Sequence, residues 1–306
     1  MKSDSPNLDL LRSFAVLAVA ISHLYYYCGL TRFDVFVHNL GVGGVCFFFV
    51  HTSLVLLGSM DRAKASRLAL TFYVRRAFRI YPLCWACIAF ALATGLTNTA
   101  HEDIVQMGWR GVLVNVLLLQ NIIRVPDIVG PLWSLPWEVQ MYLLLPVLFL
   151  LIKRYDRPLA IAFAMWFGAT GFAIVATAFR APRAFHVAVI PPMFMGGIVA
   201  FALLGKAHPR IPSFTWLLAV PALLLLRCWM LEGDSIMSAH NVAVNAATCL
   251  LLGFAIPMFA DVRTRWLIRS SHQIAKYSYG IYLFHVPSLV LVFGYFRPLP
   301  LVAENC

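Results

Sequence analysis

The sequence predicts an all-α fold, a polytopic integral membrane bundle of about nine to ten membrane-embedded helices, one of them a candidate re-entrant segment. Of the 306 residues, 61% are hydrophobic and only 12% are charged, whereas soluble domains carry about 25% charged residues. Mean hydropathy is +0.80, and apolar stretches of about 20 residues recur along the whole chain, long enough to cross the hydrocarbon layer. These observations exclude a soluble fold, and we expect a single membrane domain over residues 1–306 without a soluble extension.

The apolar runs place the candidate spans. The first run is interpreted as a retained span because it lacks a small-residue cleavage site and many more runs follow it. The spans are expected at about 10–28, 38–58, 80–96, 137–152, 158–179, 187–205, 213–230, 240–260 and 277–296. Segment 109–123 is ambiguous because its apolar core is short and carries Asn115, Gln120 and Asn121. A re-entrant or interfacial helix suits it better than a lipid-exposed crossing.

The basic residues indicate the orientation. The net charge of +11 comes from Lys and Arg residues that cluster in short loops between apolar runs, a pattern of cytoplasmic loops, so nucleic-acid binding is not expected. With a cytoplasmic N-terminus and no crossing by segment 109–123, roughly 17 of the 24 basic residues fall inside; with a crossing, the split becomes roughly 13 to 11. The first topology is therefore favoured.

The first span carries two ionisable residues, and such residues inside membranes are functional hypotheses that need partners. Arg12 and His23 are eleven positions apart, about 20° past three full turns, so they share a helix face roughly 16 Å apart along the axis. Asp9, three residues before Arg12, is expected to pair with it. The alternative is that Arg12 snorkels to the interface and His23 is a packed, hydrogen-bonded residue.

A basic cluster precedes the third span. Arg75, Arg76 and Arg79 lie within five residues and alternate with aromatic side chains at an expected helix start. Arginines in this pattern can hold phosphates bidentately and stack on an adenine. The alternative is a loop that only sets topology and contacts anionic lipids.

A carboxylate enters the span that follows Trp133 and Ser134. Glu138 and Tyr142 are four residues apart and share a helix face. A Glu at this depth needs a partner, and a histidine on a neighbouring helix is expected. Trp133 and Tyr142 could otherwise be ordinary interfacial aromatic residues.

The last span also carries a polar pair. Tyr282 and His285 are three residues apart on one face, and Gly280 permits close approach of a neighbouring helix. The alternative is that these residues serve packing and a kink at Pro287.

Five motifs run in order along nearly the whole chain. They are Leu8-Asp9-x-Leu11-Arg12 with His23, Gly41-Val42-Gly43-Gly44-Val45-x-Phe47-Phe48-Phe49, Arg75-Arg76-x-x-Arg79 with Pro82, Trp133-Ser134-Leu135-x-x-Glu138-x-Gln140-x-Tyr142, and Ser278-Tyr279-x-x-Tyr282-Leu283-x-His285-x-Pro287. Together they resemble the membrane-bound acyltransferase 3 family, bacterial enzymes that acylate sugars of surface and exported glycans. The chain departs from the family pattern at Leu10, where Gly is usual, and at Thr52-Ser53, where Ser-Gly is usual and where His51 stands immediately before.

The resemblance implies an O-acyltransferase of the bacterial inner membrane. The acyl group, most simply acetyl, would move from acetyl-CoA to a sugar hydroxyl of an exported or surface polysaccharide or its lipid-linked precursor. The expected partners are therefore the glycan acceptor, membrane lipid and glycan-assembly proteins, and no metal is expected.

The resemblance and the chemistry also assign roles to residues. A hydroxyl is a poor nucleophile, so His23 is the expected general base, and Glu138 is expected to orient its imidazole. The CoA phosphates are assigned to Arg12, Arg75, Arg76 and Arg79, and Arg12 could instead stabilise the oxyanion. The residues expected to line the substrate site are Trp133, Ser134, Tyr142, Tyr282 and His285.

Three alternatives remain open at this point. The acyl group could pass through an acyl-enzyme, since Ser53, Ser134 and several cysteines lie near the motifs. A transporter or flippase for a glycan or small anionic solute could use the same polar residues, although the chain lacks the internal repeats that would support it. A purely structural assembly subunit would not need Arg12, His23 and Glu138 together.

Overall fold

The structure is a computed structural model that describes residues 5–63, 68–97, 101–179, 187–204, 211–233 and 235–295. Its helices are α1 (Pro6–Tyr27), α2 (Asp34–Arg62), α3 (Leu68–Thr94), α4 (His101–Val116), α5 (Gln120–Ile123), α6 (Leu135–Arg154), α7 (Pro158–Ala178), α8 (Pro191–Leu203), α9 (Ser213–Met230), α10 (Ala239–Met258) and α11 (Arg265–Leu289). A 3-10 turn (Gly130–Ser134) leads into α6. Within these described ranges, eight helices are long and apolar enough to cross a membrane, and α8 is a shorter apolar helix. The predicted all-α polytopic bundle is confirmed.

Two helices extend well beyond the apolar runs that located them. α3 begins at Leu68, twelve residues before the expected span at 80, and α11 begins at Arg265, twelve residues before 277. Hydropathy detects only the part of a helix that contacts lipid, whereas backbone hydrogen bonding continues into the polar flank. The arginine cluster therefore lies inside α3 and not in a loop before it.

The core of the bundle is α8, which packs against α2, α7 and α10. Nearly all of its residues are buried, as expected of a helix that is apolar on every side. Its approach to α10 is so close that a Cβ on Gly253 would collide with the carbonyl of Gly196. Small residues permit such contact between membrane helices, where dispersion forces between closely packed backbones drive association.

Helix α1 packs between α2 and α11. A Cβ on Gly44 of α2 would lie 2.6 Å from the carbonyl oxygen of Ala15, so glycine is required for the α1–α2 contact. At the N-terminal end of α1, the Ser5 hydroxyl donates to Asp261 Oδ1 at 2.5 Å. Asn7 Nδ2 donates to the Ala260 carbonyl at 3.0 Å. These bonds attach the start of α1 to the segment that joins α10 to α11.

Segment 109–123 is broken into short pieces. Gly108 has a φ of 59° and interrupts α4, which leaves a helical stretch at 109–116, and Leu118 has a φ of 57°. Eight helical residues extend about 12 Å, much less than the roughly 30 Å hydrocarbon layer. The Asn115 amide donates to the Pro126 carbonyl at 3.0 Å and accepts from the Ile128 N–H at 3.1 Å. Asn121 pairs with Gln140 of α6, so these polar side chains attach the segment to its neighbours within the protein.

An ion pair bears on whether segment 109–123 crosses the membrane. Lys153 Nζ at the end of α6 lies 2.5 Å from Asp61 Oδ1 at the end of α2, so both helices end at the same face. The chain between these residues crosses once in α3 and once in α6, and a further crossing by segment 109–123 would place the pair on opposite faces. The contact therefore supports the topology in which this segment does not cross. Several basic residues counted toward that topology lie outside the described residues: Lys2, Lys64, Arg67, Lys206 and Arg210.

Candidate active site

The polar face of α1 lies against α11. Arg12 Nε donates to Ser278 Oγ at 2.6 Å, and the ring of His23 contacts the ring of His285 with centroids 4.8 Å apart. Both contacts are made to one neighbouring helix, as expected if the eleven-residue spacing places Arg12 and His23 on one face. Asp9 interacts electrostatically with Arg12, as expected, but the two side chains do not form a close ion pair. The close partner of Asp9 is His272, whose Nδ1 lies 2.9 Å from Asp9 Oδ2.

The two histidines have the same backbone arrangement. His23 Nδ1 is 3.0 Å from the Val19 carbonyl oxygen, and His285 Nδ1 is 2.8 Å from the Tyr282 carbonyl oxygen. A carbonyl only accepts hydrogen bonds, so each neutral ring carries its proton on Nδ1 and keeps the Nε2 lone pair. His285 Nε2 is buried and has no hydrogen-bond partner among the described residues. The site therefore contains two Nε2 atoms that can accept a proton.

Tyr282 connects three parts of the chain. Its hydroxyl forms a buried hydrogen bond of 2.7 Å with Ser134 Oγ, and its ring contacts Phe48 of α2 edge to face, with centroids 6.1 Å apart. Trp133, beside Ser134, packs half-buried against the core. The predicted Trp-Ser motif, the Phe-rich run and the last span therefore meet at one place.

Glu138 lies on the arginine side of the site. It accepts a hydrogen bond from the Tyr142 hydroxyl one turn later in α6, as their four-residue spacing predicts. Glu138 also interacts electrostatically with Arg12 and Arg76. The sequence predicts that Glu138 orients the imidazole of His23. In the structure, His23 Nδ1 instead makes its hydrogen bond to the Val19 carbonyl oxygen. In this rotamer the ring reaches the carbonyl of the preceding turn, and that contact orients the imidazole without a carboxylate.

The arginines of α3 divide between two environments. Arg75 and Arg76 line a small cleft between the end of α2 and the start of α3, together with Ser59 and Thr71. Arg79, one turn further along α3, interacts electrostatically with Arg12 across the site. Positive charge therefore extends from the cleft to the polar face of α1.

A family profile described as an acyltransferase domain matches residues 5–304. The chain belongs to the acyltransferase 3 family. A region of 160 residues, 49% of the chain, is 30% identical to acyltransferase MdmB of Streptomyces mycarofaciens and covers 40% of that protein. Over 318 aligned positions, 92% of the chain is 26% identical to Nodulation protein 10 of Rhizobium leguminosarum bv. viciae and covers 82% of it. The match thus spans about two fifths of MdmB, and no solved structure matches the chain.

The acyltransferase contains an ionisable residue near the site to which sequence reasoning gave no role. His51 of α2 is 5% exposed and interacts electrostatically with Arg12 and Arg79. Its position inside a span was a sufficient signal, because ionisable residues within membranes are rare and costly. His51 stands where the chain departs from the family pattern, directly before Thr52-Ser53.

Ser53 of the acyltransferase has a packing role. Its side chain is fully buried, and its hydroxyl donates to the Phe194 carbonyl of α8 at 2.8 Å. The same hydroxyl lies 2.9 Å from the Phe49 carbonyl of its own helix. A hydroxyl enclosed by carbonyl oxygens between two packed helices is not accessible to a thioester, so this position does not favour an acyl-enzyme.

Proposed function

We propose that this membrane acyltransferase transfers a short acyl group, most simply acetyl from acetyl-CoA, to a sugar hydroxyl of an exported or surface polysaccharide or its lipid-linked precursor. The observation that carries the proposal is the polar face of α1, which has Arg12 among charged groups at one end and His23 against His285 at the other. A phosphate-bearing donor and a proton acceptor would thus meet along one helix. The proposed location is the bacterial inner membrane with the N-terminus in the cytoplasm.

The cleft at the start of α3 suits the phosphates of the donor. Its guanidinium groups, Arg75 and Arg76, are the side chains that bind phosphate oxygens bidentately. The cleft encloses only about 30 Å³ of free space, so its arginines would bind phosphate oxygens at its open mouth. Arg76 is also close enough to Tyr142 to interact with its hydroxyl, which connects the cleft to Glu138.

The distance along α1 suits the shape of an acyl-CoA. Arg12 and His23 are separated by eleven residues, about 16 Å along the helix axis. The pantetheine arm of CoA is long and thin, so phosphates held at the arginines would let it extend along this face. The thioester would then lie near His23, and the acceptor would enter from the face where α1 ends.

The reaction requires one proton acceptor and one charge stabiliser. His23 Nε2 takes the proton of the sugar hydroxyl as that oxygen attacks the thioester carbonyl. The new C–O bond forms, the C–S bond breaks, and the departing CoA thiolate takes the proton back from the imidazolium. Arg12 is positioned to stabilise donor phosphate or developing negative charge. Glu138 balances the positive charges of Arg12 and Arg76. It has this role instead of orienting the imidazole of His23.

Labelled acyl transfer tests the proposal directly. Purified protein is incubated with radiolabelled acetyl-CoA and candidate glycans, and labelled glycan is measured for the native sequence and for His23→Ala. General base catalysis contributes about 10²–10⁴-fold, so the variant should lose at least about 100-fold in rate while it remains folded in the membrane. His240→Ala is the matched control, because His240 is exposed and its hydrogen bond goes to the Met230 carbonyl, away from the proposed site.

Two results would overturn parts of the proposal. Full activity in His23→Ala would remove the general base from His23. Transport of the glycan without any labelled product, over a series of acyl-CoA donors, would favour a flippase.

A further inference from the structure

Ser278 of α11 lies in the same motif as Tyr282 and His285, and its side chain is fully buried. Arg12 Nε donates to the Ser278 hydroxyl oxygen at 2.6 Å. The same hydroxyl donates to the Ala275 carbonyl, one turn earlier in α11, at 2.8 Å. The serine therefore links the guanidinium group of α1 to the backbone of α11.

The proton of the Ser278 hydroxyl has only one position that satisfies both neighbours. A guanidinium N–H can only donate, and a carbonyl oxygen can only accept. The proton therefore lies toward Ala275, and an oxygen lone pair accepts from Arg12. A carbonyl is not a base that could take up this proton, so the hydroxyl is not activated as a nucleophile. Its contact instead orients Arg12.

The bond through Nε leaves the far end of the Arg12 guanidinium available. Nη1 and Nη2 make no hydrogen bond to the residues that the structure describes. Neither nitrogen is among the buried polar atoms that lack a partner, so neither is sealed inside the helix packing. These two nitrogens form the fork that binds two oxygens of one phosphate. Because Ser278 holds Nε, the fork is partly oriented before a ligand binds, which lowers the cost of binding.

The charges around Arg12 favour an anionic ligand. Arg79 of α3 repels the guanidinium group, whereas Glu138 of α6 and Asp9 of its own helix attract it. An anion bound between the two guanidinium groups would replace their repulsion by attraction. The phosphates of the proposed donor are such anions.

The distance between Arg12 and His23 indicates which negative group Arg12 can bind. Arg12 contacts Ser278 and His23 contacts His285, and these two partners are seven residues apart on α11, about 10 Å along the helix axis. The oxyanion forms beside the base, on the carbon that the sugar hydroxyl attacks, and a group that stabilises it must lie within about 3 Å of it. Arg12 is too far from His23 for that role. The phosphates of an acyl-CoA, in contrast, lie at the far end of its pantetheine arm.

We propose that Ser278 is a positioning residue for the acyl donor, which orients the Arg12 guanidinium so that Nη1 and Nη2 bind a phosphate group of acyl-CoA. This role rests on the proposed acyl-CoA donor, and it assigns Arg12 to donor binding and not to the oxyanion. Ser278 itself touches neither the donor nor the acceptor. Loss of its hydroxyl should therefore weaken donor binding only through Arg12.

Ser271 provides a matched control on the same helix. It lies seven residues before Ser278, is 3% exposed, and its hydroxyl donates to the Ile268 carbonyl at 3.2 Å. Ser13 of α1 donates to the backbone carbonyl of Ser271 at 2.8 Å, and a change of the Ser271 side chain leaves that bond in place. Ser271→Ala therefore removes a buried hydroxyl from α11 without removing a contact to an arginine.

Isothermal titration calorimetry of the purified full chain in detergent with acetyl-CoA measures the dissociation constant, Kd, without an acceptor. Ser278→Ala should raise Kd by about 5-fold or more, because a hydrogen bond to a charged group is lost. Ser278→Cys keeps the side-chain volume but offers only a weak acceptor. It should show a similar loss, and it replaces Ser278→Ala if that variant does not fold. Ser271→Ala should keep Kd within about 2-fold of the native value.

A double variant shows whether Ser278 acts through Arg12. Arg12→Gln removes the fork, so addition of Ser278→Ala to it should change Kd by less than about 2-fold. The proposal is overturned if loss of the Ser278 hydroxyl leaves Kd at the native value, if Ser271→Ala loses as much affinity, or if the loss is equally large in the Arg12→Gln background. Absence of acetyl-CoA binding by the native sequence would instead remove the proposed donor, so the two failures are distinguishable.

Discussion

The imidazole rings of His23 and His285 meet edge to face, with centroids 4.8 Å apart, although 262 positions separate them in the chain. Each ring is oriented by a carbonyl of its own helix, from Val19 in one case and Tyr282 in the other. The backbone therefore fixes both tautomers and leaves both Nε2 atoms available as proton acceptors.

His285 should contribute to the chemical step and not to donor binding. His285→Asn retains a donor near the Nδ1 position but removes Nε2, so kcat should fall by about 10-fold or more. The KM for acetyl-CoA should change little, because the arginine cleft is untouched. Steady-state kinetics with labelled acetyl-CoA measures both values. His285→Gln, whose amide can form a hydrogen bond near the Nε2 position but cannot take up a proton, should show the same loss of kcat. An unchanged kcat in His285→Asn would assign the residue to packing.

Arg76 should bind the donor. Arg76→Lys keeps the positive charge but loses the bidentate geometry that suits a phosphate. Hydrogen bonds to charged groups contribute about 1.5–3 kcal/mol, so the KM for acetyl-CoA should rise by about 10-fold or more with a smaller change in kcat. Arg154→Lys at the exposed end of α6 is the control for surface charge and should leave KM unchanged. Equal effects of both variants would contradict a specific phosphate contact.

The bond between Ser134 and Tyr282 should be energetically coupled. Removal of one hydroxyl leaves the other buried without its partner, which costs about 1–3 kcal/mol. Ser134→Ala and Tyr282→Phe should therefore each lower the free energy of unfolding, and the double variant should lose less than the sum. A coupling of about 0.5–3 kcal/mol is expected from chemical unfolding of the four proteins. Additive losses would show that the 2.7 Å contact contributes no net stability.

Asp127, in the loop before the 3-10 turn, should make stability depend on pH. Burial raises the pKa of its carboxyl to about 6, and a hydrogen bond with Gln120 opposes the shift. The folded protein therefore holds this proton to a higher pH than the unfolded chain, whose carboxyl has a pKa of about 3.9. The stability contributed by the neutral acid is complete below about pH 4 and is lost as pH rises toward about 6.

Asp127→Asn removes this dependence. Melting temperatures of the native sequence and the variant, measured from pH 4 to pH 7, should differ by an amount that changes between pH 4 and 6 and is constant above. The native sequence should weaken relative to the variant as pH rises. A constant difference over the whole range would mean that Asp127 titrates alike in both states.

Several properties of this acyltransferase follow from the sequence without coordinates. Apolar runs with few charges can satisfy their backbone groups in lipid only as helices, so composition was sufficient to predict the bundle. The helical period placed Arg12 with His23, and Glu138 with Tyr142, since both relations lie within one helix. The order of the five motifs indicated the family, which the profile match confirmed.

Other properties depend on which helices become neighbours. The partner of Asp9 is His272 of α11, and the charges near Glu138 include Arg12 of α1. The burial of His51 beside two arginines and of Arg227 among amides also follows from helix packing. A repeat of 3.6 residues determines which side chains share a face of one helix. The neighbour that the face meets is selected by close packing between segments far apart in the chain, and only the tertiary structure decides it.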